Sequence, residues 1–118
     1  MLHSLPVSNC MHFLMPTKLD DWTEHNVPGI VGVLGQDAHG QYHVIDAFDT
    51  NSIPSARQLA MDERFGKWVL AAGNIEALRF DVFLMPKTDR VRRSEVLTLL
   101  ERSCGFQSIS SEAYAYAV

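Results

Sequence analysis

The stretch GIVGVLGQDAHGQYHVIDAF, residues 29–48, decides how this chain is read. It holds two runs rich in β-branched and aromatic residues, GIVGVLG (29–35) and QYHVIDAF (41–48), around a short polar insert. Such runs suit a pleated, half-buried surface and read as strands. Between them, Asp37-Ala38-His39-Gly40 places aspartate first and glycine last, the residue preference of a type I turn, so the pair is predicted to be a β-hairpin.

Downstream, Ser52 before Ile53-Pro54 is a helix-start signal, and the helix is predicted to run to about Phe65 and stop at Gly66. KWVLAA (67–72) reads as a strand, with a second short helix as its competitor, and Gly73-Asn74 makes a turn. LRFDVFLM (78–85) alternates: Leu78, Phe80, Val82 and Leu84 face one way, Arg79 and Asp81 the other. Pro86 ends it. Thr88 is the expected cap of a helix over 89–104, with Gly105 just past its end. Val96, Leu97, Leu99, Leu100 and Cys104 fall in one arc of that helix and form a core-facing stripe.

Upstream, residues 1–10 read as an irregular lead-in, 11–15 (MHFLM) as a short strand, and Thr17 as the cap of a helix over 18–25. At the other end, EAYAYAV (112–118) alternates with period two and reads as an edge strand. The expected architecture is a single α+β domain, 1–118, with a mostly antiparallel sheet, helices packed on one face and the order β-α-ββ-α-ββ-α-β. A ferredoxin-like βαββαβ over 11–72, extended by a third unit, fits that order. Phe13, Phe48 and Phe83 are spaced 35 residues apart, each followed within six residues by a proline, and FLMP occurs at 13–16 and 83–86, which hints at a structural repeat.

The chain has 118 residues, 47% of them hydrophobic and 20% charged. That is enough for one core, and no apolar run approaches the roughly 20 residues of a membrane span. The net charge of −4 argues against a sequence-blind nucleic-acid binder. The charge is unevenly spread, eight acids against two bases in 1–63 and eight bases against six acids in 64–118, so an acidic partner would be steered to the second half. Cys10 and Cys104 lie in no CxxC pair and read as two free buried thiols in a reducing compartment. The N-terminal stretch lacks a cationic region and carries Pro6 and Pro16; it does not read as a signal peptide, and a cytoplasmic location is expected.

No GxSxG, P-loop, GxGxxG or HExxH pattern occurs, and no cofactor is expected. Asp37, His39, His43, Asp46 and Asp49 are the densest group of potential metal ligands. Strict alternation puts His43 and Asp46 on opposite faces of their strand, so a shared ion needs a bulge or help from His12, His25 or Asp20, and no metal site is expected. Lys87, Arg90, Arg92 and Arg93 crowd the start of the last helix, where positive charge opposes the helix dipole. They are the candidate contacts for a small ligand or an acidic partner; internal pairing with Asp20, Asp21, Asp62 or Glu63 is the alternative.

Tyr114, Tyr116 and Val118 on the alternating tail are candidates for a homodimer seam, with Trp22 and Trp68 as possible anchors. The expected function is therefore a non-enzymatic binding or interaction module; an inhibitor or adaptor of another protein would look the same in sequence. An enzymatic alternative comes from a resemblance. Pro28-Gly29-Ile30-Val31 resembles the first strand of the GIY-YIG nuclease module, and Tyr42-His43-Val44 or Val44-Ile45-Asp46 falls near its second. Arg57 lies where a catalytic arginine could be, and Glu95 on a later helix could stand in for the metal-binding glutamate. Val31 replaces the first tyrosine and the second motif lacks its glycine. The resemblance implies a metal-dependent phosphodiester hydrolase, possible in degenerate form, using Arg57 and Glu95.

Overall fold

The computed structural model describes residues 13 and 15–106. The hairpin forms as the residues require. Strand β1 (Gly29–Gln36) and strand β2 (Tyr42–Thr50) are antiparallel neighbours. The turn closes through the Gly40 amide donating to the Asp37 carbonyl at 3.0 Å. The Asp37 carboxylate accepts from the amides of His39 and Gln41. These donors, Gln41 first, hold its pKa below the usual carboxylate range. Strand β3 (Leu78–Leu84) pairs with the other side of β1, giving a three-stranded antiparallel sheet in the order β2-β1-β3.

The predicted helix from Ile53 to Phe65 is split in two. Helix α1 (Ala56–Ala60) begins at Ser55, whose hydroxyl accepts from the Gln58 amide while the Gln58 side chain accepts from the Ser55 amide. It stops because the Asp62 carboxylate captures the Arg64 amide at 2.8 Å, a local bond that competes with helix propagation. Helix α2 (Phe65–Ala72) then starts, so KWVLAA is helical and Gly66 lies inside the helix instead of ending one. The expected helix over 18–25 shrinks to a 3-10 turn, Leu19–Asp21. Thr17, expected to cap that helix, instead pairs with Phe80 on the outer edge of β3; of the predicted strand over 11–15, only Phe13 and Met15 are among the described residues. Helix α3 (Arg90–Cys104) ends at Gly105 in the left-handed conformation (φ 69°), as its sequence suggested. Its cap is Asp89, which accepts from the Arg92 amide at 2.8 Å; the Thr88 hydroxyl is spent on the Met85 carbonyl.

The observed order is therefore ββααβα, and the helices cover both faces of the sheet. On one face, α3 buries Leu100 and Cys104 against Ile30, Leu34, Ala47 and Phe13. On the other, Leu59 of α1 and Trp68 of α2 pack on Val31, Val33, Ile45, Leu78 and Phe80. This replaces the one-sided arrangement and the ferredoxin-like order: a helix at 67–72 removes the strand those topologies need. The 35-residue spacing places Phe13 and Phe83 with the α3 side and Phe48 with the Trp68 side, so the three rings do not share one environment. Leu99, assigned to the core stripe, is 58% exposed; Val96, Leu97, Leu100 and Cys104 do pack on the core, and Arg93 extends the stripe toward the start of the helix. The expected edge strand at 112–118 and the lead-in at 1–10 lie outside the described residues.

Two glycines of β1 explain the composition of the central strand. A Cβ on Gly32 would meet the ring of the fully buried Phe13 at 2.5–2.9 Å, and one on Gly35 would meet the His43 ring at 2.8 Å. Each glycine opens a slot for a ring crossing the strand. Beside Gly32 in register, Asp81 is buried and accepts from the amides of Met15 and Val82. It thereby fastens the 13–17 segment to the sheet, and burial pushes its pKa above the usual carboxylate range. Cys104 is disulfide-bonded. This corrects the expectation of a free thiol there; disulfides persist mainly in oxidising compartments, so the cytoplasmic expectation loses that support.

Candidate functional site

The pleat of β2 breaks at one residue. Val33 pairs with Asp46 and Leu34 with Val44, so Ile45 is the extra residue of a β-bulge. The bulge resets the alternation. Tyr42 and Val44 join Ala47 on the α3 side, whereas His43 and Asp46 both turn toward α2. The two residues that strict alternation separated thus share a face. Asp46 is fully buried and accepts from the Trp68 indole at 2.8 Å and from the Ala47 amide at 2.9 Å. Among the described residues no three His, Cys, Asp or Glu side chains cluster to hold an ion.

An aromatic group surrounds Trp68. Phe48 stacks on it at 5.9 Å, and Phe65 and Phe80 meet it edge-on. Trp22 reaches Phe80 from the other side and donates its indole N–H to the Pro54 carbonyl at 2.8 Å. Trp68 is wholly buried and Trp22 half-buried, so these rings serve the core and the first is not a surface anchor. Arg64 lies 4.2 Å over the Phe48 ring, gripped at two nitrogens by the Asp62 carboxylate. That grip, chiefly the side-chain hydrogen bond, lowers the Asp62 pKa. The wide depression beside this pair, about 520 Å³, is mostly polar, and its Asp62, Arg64 and Asp49 are already engaged with protein partners.

A smaller pocket of about 180 Å³ opens between the 3-10 turn Leu19–Asp21, the start of α2 and strand β3. Its walls are Leu19, Phe65, Ile75, Leu78 and Phe80. Phe80 and Leu78 are buried, whereas Ile75 stands 58% exposed at the lip. Lys18, Asp20 and Glu76 complete the lining, with the Lys18 ammonium 3.6 Å from the Glu76 carboxylate. An apolar recess with a few charged groups has the usual make-up of a small-molecule site. Its members come from three separate stretches, 18–20, 65 and 75–80, and sequence reasoning located only Leu78 and Phe80, on the apolar face of β3. The pairing of Phe65 with Trp68 and Ala72 at helical spacing is the signal that would have added Phe65.

The candidates at the last helix are dispersed. Arg93 is 2% exposed and is withdrawn from any surface partner. Its guanidinium donates to the Thr88 carbonyl and to the Asn51 side chain, and its Nε lies 3.6 Å from Asp49. The charge that opposes the helix dipole is thus paired internally, though with Asp49 and not with the acids first considered. Lys87, Arg90 and Arg92 are exposed, and Arg92 pairs with Glu95 at 3.7 Å. A shallow depression of about 410 Å³ runs beside Arg90, Val91 and Ser94 on the outer face of α3.

Two strands precede the helix that bears Arg57, and Glu95 lies on the last helix. Arg57 is exposed on α1 and Glu95 on α3, helices that pack against opposite faces of the sheet, and Val31 is buried in the Trp68 core. Tyr114, Tyr116 and Val118 lie outside the described residues. Among the described residues no helix is long and apolar enough to cross a membrane. Comparison with known protein families, with curated proteins and with solved structures gives no match for this chain.

Proposed function

We propose that the chain is a non-enzymatic binding module that takes a small apolar ligand into the pocket between α2 and β3. The observation that carries this reading is the recess itself: a partly open space of about 180 Å³ whose walls are Phe65, Leu78, Phe80, Leu19 and Ile75. A cavity of about 150 Å³ lined by apolar side chains is known to admit benzene, so one ring or a short branched chain fits. Lys87, Arg90 and Arg92 give the same module an exposed cationic surface for an acidic partner.

Titration with benzyl alcohol, followed by two-dimensional amide NMR, tests the pocket. Saturable shifts are expected at the amides of 75–80. At about 0.5–0.7 kcal/mol per heavy atom, a ligand of this size binds with a Kd on the order of 0.1–1 mM. Ile75→Trp, which places a large ring at an already exposed lip, is expected to abolish those shifts without unfolding the chain. If neither benzyl alcohol nor a panel of similar small aromatics and branched aliphatics moves those amides, the reading fails.

We also propose that the module is a homodimer joined through the alternating tail, with Tyr114, Tyr116 and Val118 at the seam. The support is the uncharged Tyr-Ala alternation, a pattern that pairs readily along a sheet edge. Light scattering should give twice the 13.3 kDa chain mass, and removal of 112–118 should reduce it to the single value. A full-length chain that scatters as a monomer would refute the proposal.

A further inference from the structure

The pocket's charge suggests which ligands it prefers, an inference that rests on the small-ligand reading above. Among the described residues three charged groups line it, Lys18, Asp20 and Glu76, two acids to one base. The Lys18–Glu76 pair is internally balanced, with side chains 51% and 82% exposed. Asp20 is left as the surplus charge. The two rings in the wall, Phe65 and Phe80, add the negative potential of their faces. A ligand whose ring enters the recess would leave its polar head among these acids. A protonated amine is favoured there by ion pairing and by the ring faces together. A carboxylate meets the surplus negative charge and can gain only by displacing Glu76 from Lys18.

We infer that the pocket selects small ammonium-bearing aromatic or branched aliphatic ligands over neutral and anionic molecules of the same shape. Recess and charge are independent features of the site. The recess sets the size and apolar character of the ligand, and the lining charge sets the sign of its head group.

Benzylamine, benzyl alcohol and benzoate share one ring and differ in the head group. Titrated into the full chain at pH 7 and low salt, each reports through the amides of 75–80. Benzylamine is expected to bind about two- to fivefold tighter than benzyl alcohol, the range of a solvent-exposed ion pair, with benzoate weakest. High salt should shrink the spread. Asp20→Asn, at an exposed position, should remove most of the amine's advantage over benzyl alcohol, read as the ratio of the two affinities within the same variant. Equal affinity for all three probes, or tighter binding of benzoate, overturns the charge inference and leaves the pocket standing. Failure of all three to move the amides overturns the pocket and the inference together. An amine preference that survives Asp20→Asn unchanged overturns the assignment of the surplus charge to Asp20.

Discussion

Trp68→Ala is expected to unfold most of this protein's margin of stability. The side chain is wholly buried at the centre of the α2-side core. It is stacked on Phe48 with an interplanar angle of 4° and flanked edge-on by Phe80 and Phe65. Deleting a buried tryptophan side chain costs about 3–5 kcal/mol through lost transfer energy and the cavity left behind. A second effect adds to it. Asp46 is fully buried and would lose the indole donor at 2.8 Å, a further cost of about 1–3 kcal/mol. Domains of this size are stable by only about 5–15 kcal/mol. Urea unfolding followed by far-UV circular dichroism measures the loss. Trp68→Phe keeps a ring for Phe48 and Phe80 but removes the donor and part of the ring volume, so a loss smaller than that of the alanine variant is expected, at least the roughly 1–3 kcal/mol of the lost hydrogen bond. A loss under about 2 kcal/mol for the alanine variant would mean that the stack and the indole bond do not anchor this face.

The residues that made the fold legible are those whose signals are local. Asp37 and Gly40 define the turn by their own hydrogen bond. Gly105 marks the end of α3 because a left-handed residue there needs no Cβ. Leu78, Phe80 and Val82 alternate with Arg79 and Asp81, and the structure puts those three apolar side chains together on the α2 side. What escaped depends on distant partners. KWVLAA is six residues of ambiguous propensity, and its period becomes clear only when Phe65, Trp68 and Ala72 are taken as one face of a helix turned toward the sheet. The bulge at Ile45 leaves no mark in composition, yet it decides that His43 and Asp46 share a face. Lys18, Phe65, Ile75 and Phe80 meet at the pocket through tertiary folding, with no spacing in the chain to announce it.

Arg93 shows how the same dependence bears on energetics. In sequence it is one of four clustered bases and suits a surface contact; in the fold it occupies the first turn of the core-facing stripe of α3. Its guanidinium joins three parts of the chain: the Thr88 carbonyl before α3, Asn51 after β2, and Asp49 within β2. The Nε lies close to Asp49 without a hydrogen bond, so that contact is ionic. Arg93→Ala would leave Asp49 without its countercharge and Asn51 and Thr88 without a donor. Breaking a buried pair by removing one partner costs about 3–5 kcal/mol, and the lower end applies because the Asp49 side chain is 23% exposed and can recruit water. Arg93→Lys keeps the charge but loses the planar fork that serves Thr88 and Asn51 at once, so an intermediate loss is expected. A double-mutant cycle with Asp49→Ala isolates the ionic part. If Arg93→Ala costs less than about 1 kcal/mol, the range of an exposed ion pair, then Arg93 is not clamped in solution, and its charge returns to the surface group formed by Lys87, Arg90 and Arg92.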